Sequence, residues 1–255
     1  MSGTGRAPSR ALAPSNADVA IVAALPIELA PLIDRLAHVR KYSNERRTIV
    51  EGTIANKIVV LAAAGPGQVR AEALAKVLLA GHRPQWLIAA GFAGSLVPGL
   101  GRNATVLPGR LVNSAGAAIE VSVSVNANTG DPGSFRAGSL VTVDHIVRTA
   151  KEKAKLHTST GADLVDMESF AVARLCGERG VRFLCVRVIS DDAKTDLPPE
   201  LLTLVGPTGG YRIGAAVGAL MRNPARLGTM LRLRDHAEQA ADRLAKALLE
   251  VIATL

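Results

Sequence analysis

Residues 18–29 read DVAIVAALPIEL, and this stretch decides the fold. After Asp18 the run to Ala24 is apolar at every position and of strand length. Such a run suits a strand covered on both faces, as in a parallel sheet between helices. Pro26 then fits the first turn of a helix, where its missing N–H is not needed. The helix is expected to reach about Leu36. Glu28 stands at this passage from strand to helix. In open α/β sheets ligands bind outside the carboxyl ends of the strands, so Glu28 is a candidate site residue from its position alone.

The same alternation continues along the chain. Residues 47–52 and 57–63 read as strands joined by a turn at Thr53–Asn56. Gly65-Pro66-Gly67 breaks the pattern, and a helix is expected from Gln68 to Leu79, with Val69, Ala73, Val77 and Ala80 on one face and Gly81 as its end. Residues 85–90 (QWLIAA) read as a buried strand closed by a loop, Gly91–Ser95. Residues 100–140 suggest short strands and long loops. Residues 139–143 are a strand, a helix starts near Arg148, residues 163–166 are short and extended, and a helix follows from Met167 to Glu178. Residues 182–189 (RFLCVRVI) form a last central strand, and 235–254 an amphipathic helix with Ala241, Leu244, Leu248 and Ile252 at helical spacing. Strands alternating with helices imply an α/β fold. We expect a single three-layer domain over residues 18–255, with a mixed, mostly parallel central sheet flanked by helices. A disordered tail, 1–17, precedes it, and 194–234 is a lid-like insertion.

Composition narrows the function classes. Apolar residues make up 48% of the chain but aromatic ones only 3%, so the core is built from Ala, Val, Leu and Ile. The net charge of +8 could attract anions or nucleic acid. The positive charges are dispersed, however, and lack the interleaved aromatics on which bases stack, so no nucleic-acid partner is expected. No apolar run approaches the roughly 20 residues of a membrane span. The first residues carry arginines without an apolar core, unlike a signal peptide, and the expected location is cytoplasmic. Cys176 and Cys185 lie in apolar segments and read as buried thiols. No Cys/His cluster has zinc-ligand spacing, so no metal is expected. A dinucleotide cofactor would need GxGxxG after the first strand, and Gly65-Pro66-Gly67 does not supply it. No cofactor is expected.

Four polar or glycine-rich elements follow expected strands: Glu28, Gly91–Ser95, Asp166-Met167-Glu168-Ser169, and Ser190-Asp191-Asp192. Singly, each carboxylate has an ordinary explanation: an acid in a first helical turn favours the macrodipole, and Asp191 could be a cap or turn residue. Together, at strand ends with glycines between them, they make a candidate active site. A shift of one residue in the strand end would exchange Asp192 for Asp191.

VDMES at 165–169, followed by RVISD at 187–191, resembles the signature of the superfamily of purine nucleoside phosphorylases and methylthioadenosine/S-adenosylhomocysteine nucleosidases. VAIVAALPIEL resembles the first strand and turn of the nucleosidase branch, and Gly91-Phe92-Ala93-Gly94 its glycine loop under the sugar. The resemblance runs from about residue 18 to 193. It implies that Glu168 binds the ribose hydroxyls, Met167 packs under sugar and base, Asp191 is the acid at purine N7, and Glu28 activates water. Phe92, Ala93 and Gly94 would lie along the sugar, Ile146 and Val147 would flank the base, and Arg187 and Ser190 would support them. By the same resemblance an Asp at 191 favours adenine, and homo-oligomers are expected. The stretches PPELL (198–202) and RNPARLGTML (222–231) resemble a subgroup labelled hopanoid-associated phosphorylase, which acts on adenosylhopane.

The chemistry suits these residue types. Breaking C1′–N9 builds positive charge on the sugar and negative charge on the base, and a poor leaving group needs an acid. One carboxyl protonating the leaving group while another activates water parallels inverting glycosidases. Phosphorolysis would instead need cationic donors for phosphate. The phosphorylase branch of the superfamily that the chain resembles carries an Arg in the first loop, an Arg shortly before the glycine loop and a Ser within it; here the first loop has no Arg, LIAAG has none, and Phe92 stands at the Ser position. Water is therefore the expected nucleophile, phosphate the alternative. A purine-binding protein without catalysis is a reading of another class, and the presence of both Glu28 and Asp191 opposes it.

Overall fold

The computed structural model describes residues 16–43, 48–122, 135–199 and 227–255. Residues 1–15 of the expected tail, and residues 200–226 of the expected lid with most of the two stretches that resemble the hopanoid subgroup, lie outside them. Ala17, assigned to the tail, is already buried and donates its N–H to His82 O.

Among the described residues ten strands form one sheet. β1 (Val19–Ala23) lies between β4 (Lys57–Ala63) and β5 (Trp86–Ser95), and β5 also pairs with β10 (Arg182–Asp191); all three pairings are parallel. β3 (Thr48–Ile54) and then β2 (Ala37–Ser43) extend this run antiparallel. On the other side β10 pairs antiparallel with β6 (Thr105–Asn113), which also holds the short β7 (Ala118–Glu120). β6 pairs parallel with β8 (Arg136–Thr142), and β8 with β9 (Leu164–Asp166). β9 returns antiparallel to the last residues of β5, at Gly94 and Ser95. The strands β5, β10, β6, β8 and β9 thus close a ring of pairings that begins and ends on β5.

Residues alternate between the two faces, as strand geometry requires. Val19, Ile21 and Ala23 pack with α1 (Pro26–Ile33) and α5 (Leu227–Thr254). Ala20 and Val22 pack with α2 (Gln68–His82) and α4 (Ser169–Arg179). This is the expected three-layer arrangement. α3 (Ala150–Thr160) starts at Thr149, whose hydroxyl accepts the Glu152 N–H while the Glu152 carboxylate accepts the Thr149 N–H. This reciprocal cap fixes the first turn. Among the described residues no helix is long and apolar enough to cross a membrane.

The structure corrects several expectations. α1 stops at Ile33, and β2 occupies residues that carried no strand signal. β2 is an exposed edge strand, AHVRKYS, whose charges are the usual protection of such an edge. α2 passes through Gly81 to His82 and stops where Arg83 adopts a left-handed conformation, φ 41°. Its buried face is Ala71, Leu74, Ala75 and Leu78, while Val69 and Val77 are exposed. Apolar residues occur all round this alanine-rich helix, so periodicity could not choose the face. Gly91–Ser95 is not a loop: β5 runs straight through it, paired with β10 on one side.

Candidate active site

The site is built around the last residues of β5. A Cβ at Gly91 would overlap Arg187 Nη1 and lie 2.7 Å from Glu28 Oε1, so only glycine allows these two side chains to meet over the strand. Glu28 is 2% exposed in the first turn of α1. Its Oε2 accepts the Leu25 N–H at 2.7 Å and its Oε1 the Phe92 N–H at 2.8 Å. Burial pushes its carboxyl above the ordinary range; the N–H of Phe92 and the nearby Arg187 charge oppose that. A carboxyl raised in this way is a better proton acceptor than an exposed one.

Below this lies a buried ion pair that the sequence reading missed in part. Asp166, at the end of β9, accepts from Arg187 Nη2 at 2.5 Å, from the Ser169 N–H at 3.0 Å and from Thr142 Oγ1 at 2.7 Å. Arg187 also donates to Ser169 Oγ at 2.8 Å. Burial works against the Arg187 charge, but the facing carboxylates of Asp166, Glu168 and Glu28 hold its pKa above the usual arginine value. Asp166 was noted only as a neighbour of Glu168; a short apolar strand ending in Asp just before a helix was its available signal.

Glu168 caps the start of α4 and accepts the Gly67 N–H through Oε1 at 2.8 Å. Burial, with repulsion from Asp166, pushes its carboxyl up to about 7. No hydrogen bond is found for its second oxygen among the described residues, and the residue lines the cavity.

Asp191 closes the far end. Gly94 leaves room for it, since a Cβ there would come within 3.1 Å of Asp191 Oδ2. Ser190 Oγ donates to Asp191 Oδ1 at 2.6 Å. Lys153, from α3, brings Nζ to 2.6 Å from Oδ2. The two form a buried ion pair. Asp192, the one-residue alternative, turns away: its Oδ1 accepts from Thr195 Oγ1 at 2.7 Å and from the Lys194 N–H at 3.0 Å.

These groups enclose a cavity of about 230 Å³. Glu28, Glu168, Ser190 and Asp191 line it, and so does Asp166. Phe92, Ala93 and Gly94 form the β5 side, and Ile146, Val147 and Met167 supply apolar walls. All the expected site residues therefore meet here except Arg187, which lies behind the lining, where it supports Asp166 and approaches Glu28. Convergence does not need a fully parallel sheet. β9 runs against β5, and reaches the site because it pairs only with the last two residues of that strand. Among the described lining residues there are four carboxylates and no Lys or Arg.

The sequence pattern of the phosphorylase superfamily matches residues 18–132 and 124–253. The chain belongs to the phosphorylase superfamily. Within the superfamily it is 26% identical, over 205 residues, to the 5′-methylthioadenosine/S-adenosylhomocysteine nucleosidase of Shewanella oneidensis, covering 71% of this chain and 87% of that one. The corresponding nucleosidase of Shewanella baltica is 22% identical over 214 residues, 75% of this chain and 91% of that one. The fold is shared with the Neisseria meningitidis nucleosidase in complex with methylthio-immucillin-A, with a TM-score of 0.72, 21% identity and coverage of 93% and 99%. It is shared equally with the futalosine hydrolase of Helicobacter pylori, with a TM-score of 0.71, 21% identity and coverage of 93% and 97%.

Proposed function

We propose that this superfamily member hydrolyses the C1′–N9 bond of an adenine ribonucleoside. The observation that carries the reading is the placement of two buried carboxylates, Glu28 and Asp191, against opposite ends of the Gly91–Gly94 segment in one cavity. At ~3.3 Å per strand residue those ends are about 10 Å apart, which leaves space for a sugar and a water between an acid and a base. Asp191 gives a proton to N7 as the base leaves, and Glu28 takes a proton from the attacking water. Glu168 receives the ribose hydroxyls on its second oxygen, while Met167, Ile146 and Val147 enclose the apolar faces of base and sugar.

Water is favoured over phosphate because the described lining is acidic. A phosphate dianion there would meet carboxylates without a guanidinium or ammonium to receive it. The nucleosidases named above support an adenine nucleoside with a 5′ substituent as substrate. The subgroup resemblance adds a lipid-tailed adenosine to the candidates.

The test is release of adenine from adenosine, 5′-methylthioadenosine, S-adenosylhomocysteine and a 5′-alkyl adenosine, each with and without phosphate. Release without phosphate, lowered ~10²–10⁴-fold in Asp191→Asn, is the expected result. Release that requires phosphate would overturn the hydrolytic reading and call for cations from outside the described residues. Binding of these nucleosides without release would leave a purine-nucleoside-binding protein.

A further inference from the structure

We propose that Lys153, which does not line the cavity, is the positioning residue that holds Asp191 for proton transfer to the base. The proposal rests on the reading of Asp191 as the acid at N7. Lys153 is wholly buried, with its Nζ 2.6 Å from Asp191 Oδ2. The ammonium also donates to the main-chain carbonyls of Asp192, at 2.7 Å, and Thr195, at 3.0 Å. A buried cation is tolerated only when paired and hydrogen-bonded, and here every partner belongs to the strand end that carries the acid. The ammonium therefore fixes both the carboxylate and the chain that follows it.

The remaining geometry shows why this matters for the reaction. Ser190 Oγ holds Oδ1 and the Lys153 ammonium lies 2.6 Å from Oδ2, so the carboxyl is fixed at both oxygens beside the cavity. In the cleavage step the Asp191 O–H bond breaks as N7–H forms, and the C1′–N9 electron pair passes to the base. A carboxylate is left behind, and the fixed ammonium beside it stabilises that charge as it develops. Other charged groups near the pair have different engagements. Asp192 is turned to Thr195 and Lys194, Asp196 accepts the Ala150 N–H, and Glu152 caps α3. Glu28, Asp166 and Glu168 share the cavity with the exposed His145, and Arg187 lies behind it.

The experiment measures kcat and KM for wild type, Lys153→Met, Lys153→Arg and Asp191→Asn, with 5′-methylthioadenosine or whichever adenosine of the panel is turned over fastest. Without the ammonium the carboxylate left by proton transfer has no fixed charge beside it, so the loss in Lys153→Met is expected in turnover. Its kcat should fall on the order of tenfold or more, with KM within about threefold. Lys153→Arg keeps the charge and should restore most of the wild-type kcat. Lys153→Gln, which retains a donor for the carbonyls, replaces the Met variant if that protein does not fold. An unchanged kcat in the uncharged variants, or an equal loss in Lys153→Arg, would overturn the assignment while leaving Asp191 as the acid. Wild-type release by Asp191→Asn would remove the acid reading itself, and the role of Lys153 with it.

Discussion

Two buried ion pairs flank the cavity, and they are built differently. In Arg187–Asp166 both carboxylate oxygens are occupied, by a guanidinium, a main-chain N–H and a hydroxyl, and the cation lies behind the lining. In Lys153–Asp191 the carboxylate has one hydroxyl on Oδ1 and the ammonium on Oδ2. Both place opposite charges together in low dielectric, where breaking a pair strands a charge. The difference lies in what remains available. Asp166, held by three donors, is a strut that sets the position of its neighbours. Asp191, held by an ammonium and one hydroxyl, faces the cavity beside Gly94.

The contrast is open to direct attack. The largest expected effect separates the two aspartates. Asp191→Asn should act chiefly on turnover, as stated above, whereas Asp166→Asn strands Arg187 and should cost ~3–5 kcal/mol of folding stability in urea unfolding. Asp191→Asn should cost less than that, because Lys153 keeps its two carbonyls. The reverse order would break the comparison.

Gly91→Ala tests the crossing point of the two systems. The added methyl displaces Arg187 Nη1 and Glu28 Oε1 together. Overpacking of this kind costs ~1–3 kcal/mol, and turnover should fall further than with the same change at Gly99, where no atom lies within 4 Å of an added Cβ. Equal loss at both positions would show that Gly91 does not set the site.

The smallest effect extends the comparison to Glu168. Glu168, with its carboxyl pushed up to about 7 from the ordinary 4.5, must ionise against burial. Its folded value is raised, so its contribution to stability is fully present below pH 4.5 and is lost as pH rises through about 7. Over that window wild type should lose roughly 1–3 kcal/mol relative to Glu168→Gln. Thermal unfolding of both proteins at pH 4.5 and 7.5 measures it, and parallel profiles would mean that the carboxyl is not raised.

Much of this was legible in the chain. The apolar run 18–24 followed by Pro26 located β1, α1 and Glu28. The strand 182–189 led to Ser190 and Asp191, and the helical spacing of Ala241, Leu244, Leu248 and Ile252 named the buried face of α5. Lys153 was harder to see. It sits in KEKAKLH among other lysines, and the only hint was its spacing, which puts it on the face of Leu156, His157 and Thr160. β2 gave no signal because an exposed edge strand buries little.

By itself the sequence determined most of the buried strands and helices and which carboxylates follow them, because burial imposes a periodicity that can be read residue by residue. Only the tertiary structure decided how those carboxylates are held. The return of β9 onto the end of β5, the overlap of Glu28 with Arg187 above Gly91, and the burial of Lys153 against Asp191 depend on groups far apart in sequence. Proton affinity in such a site is set by burial and by neighbouring charge, and neither is a property of a segment taken alone.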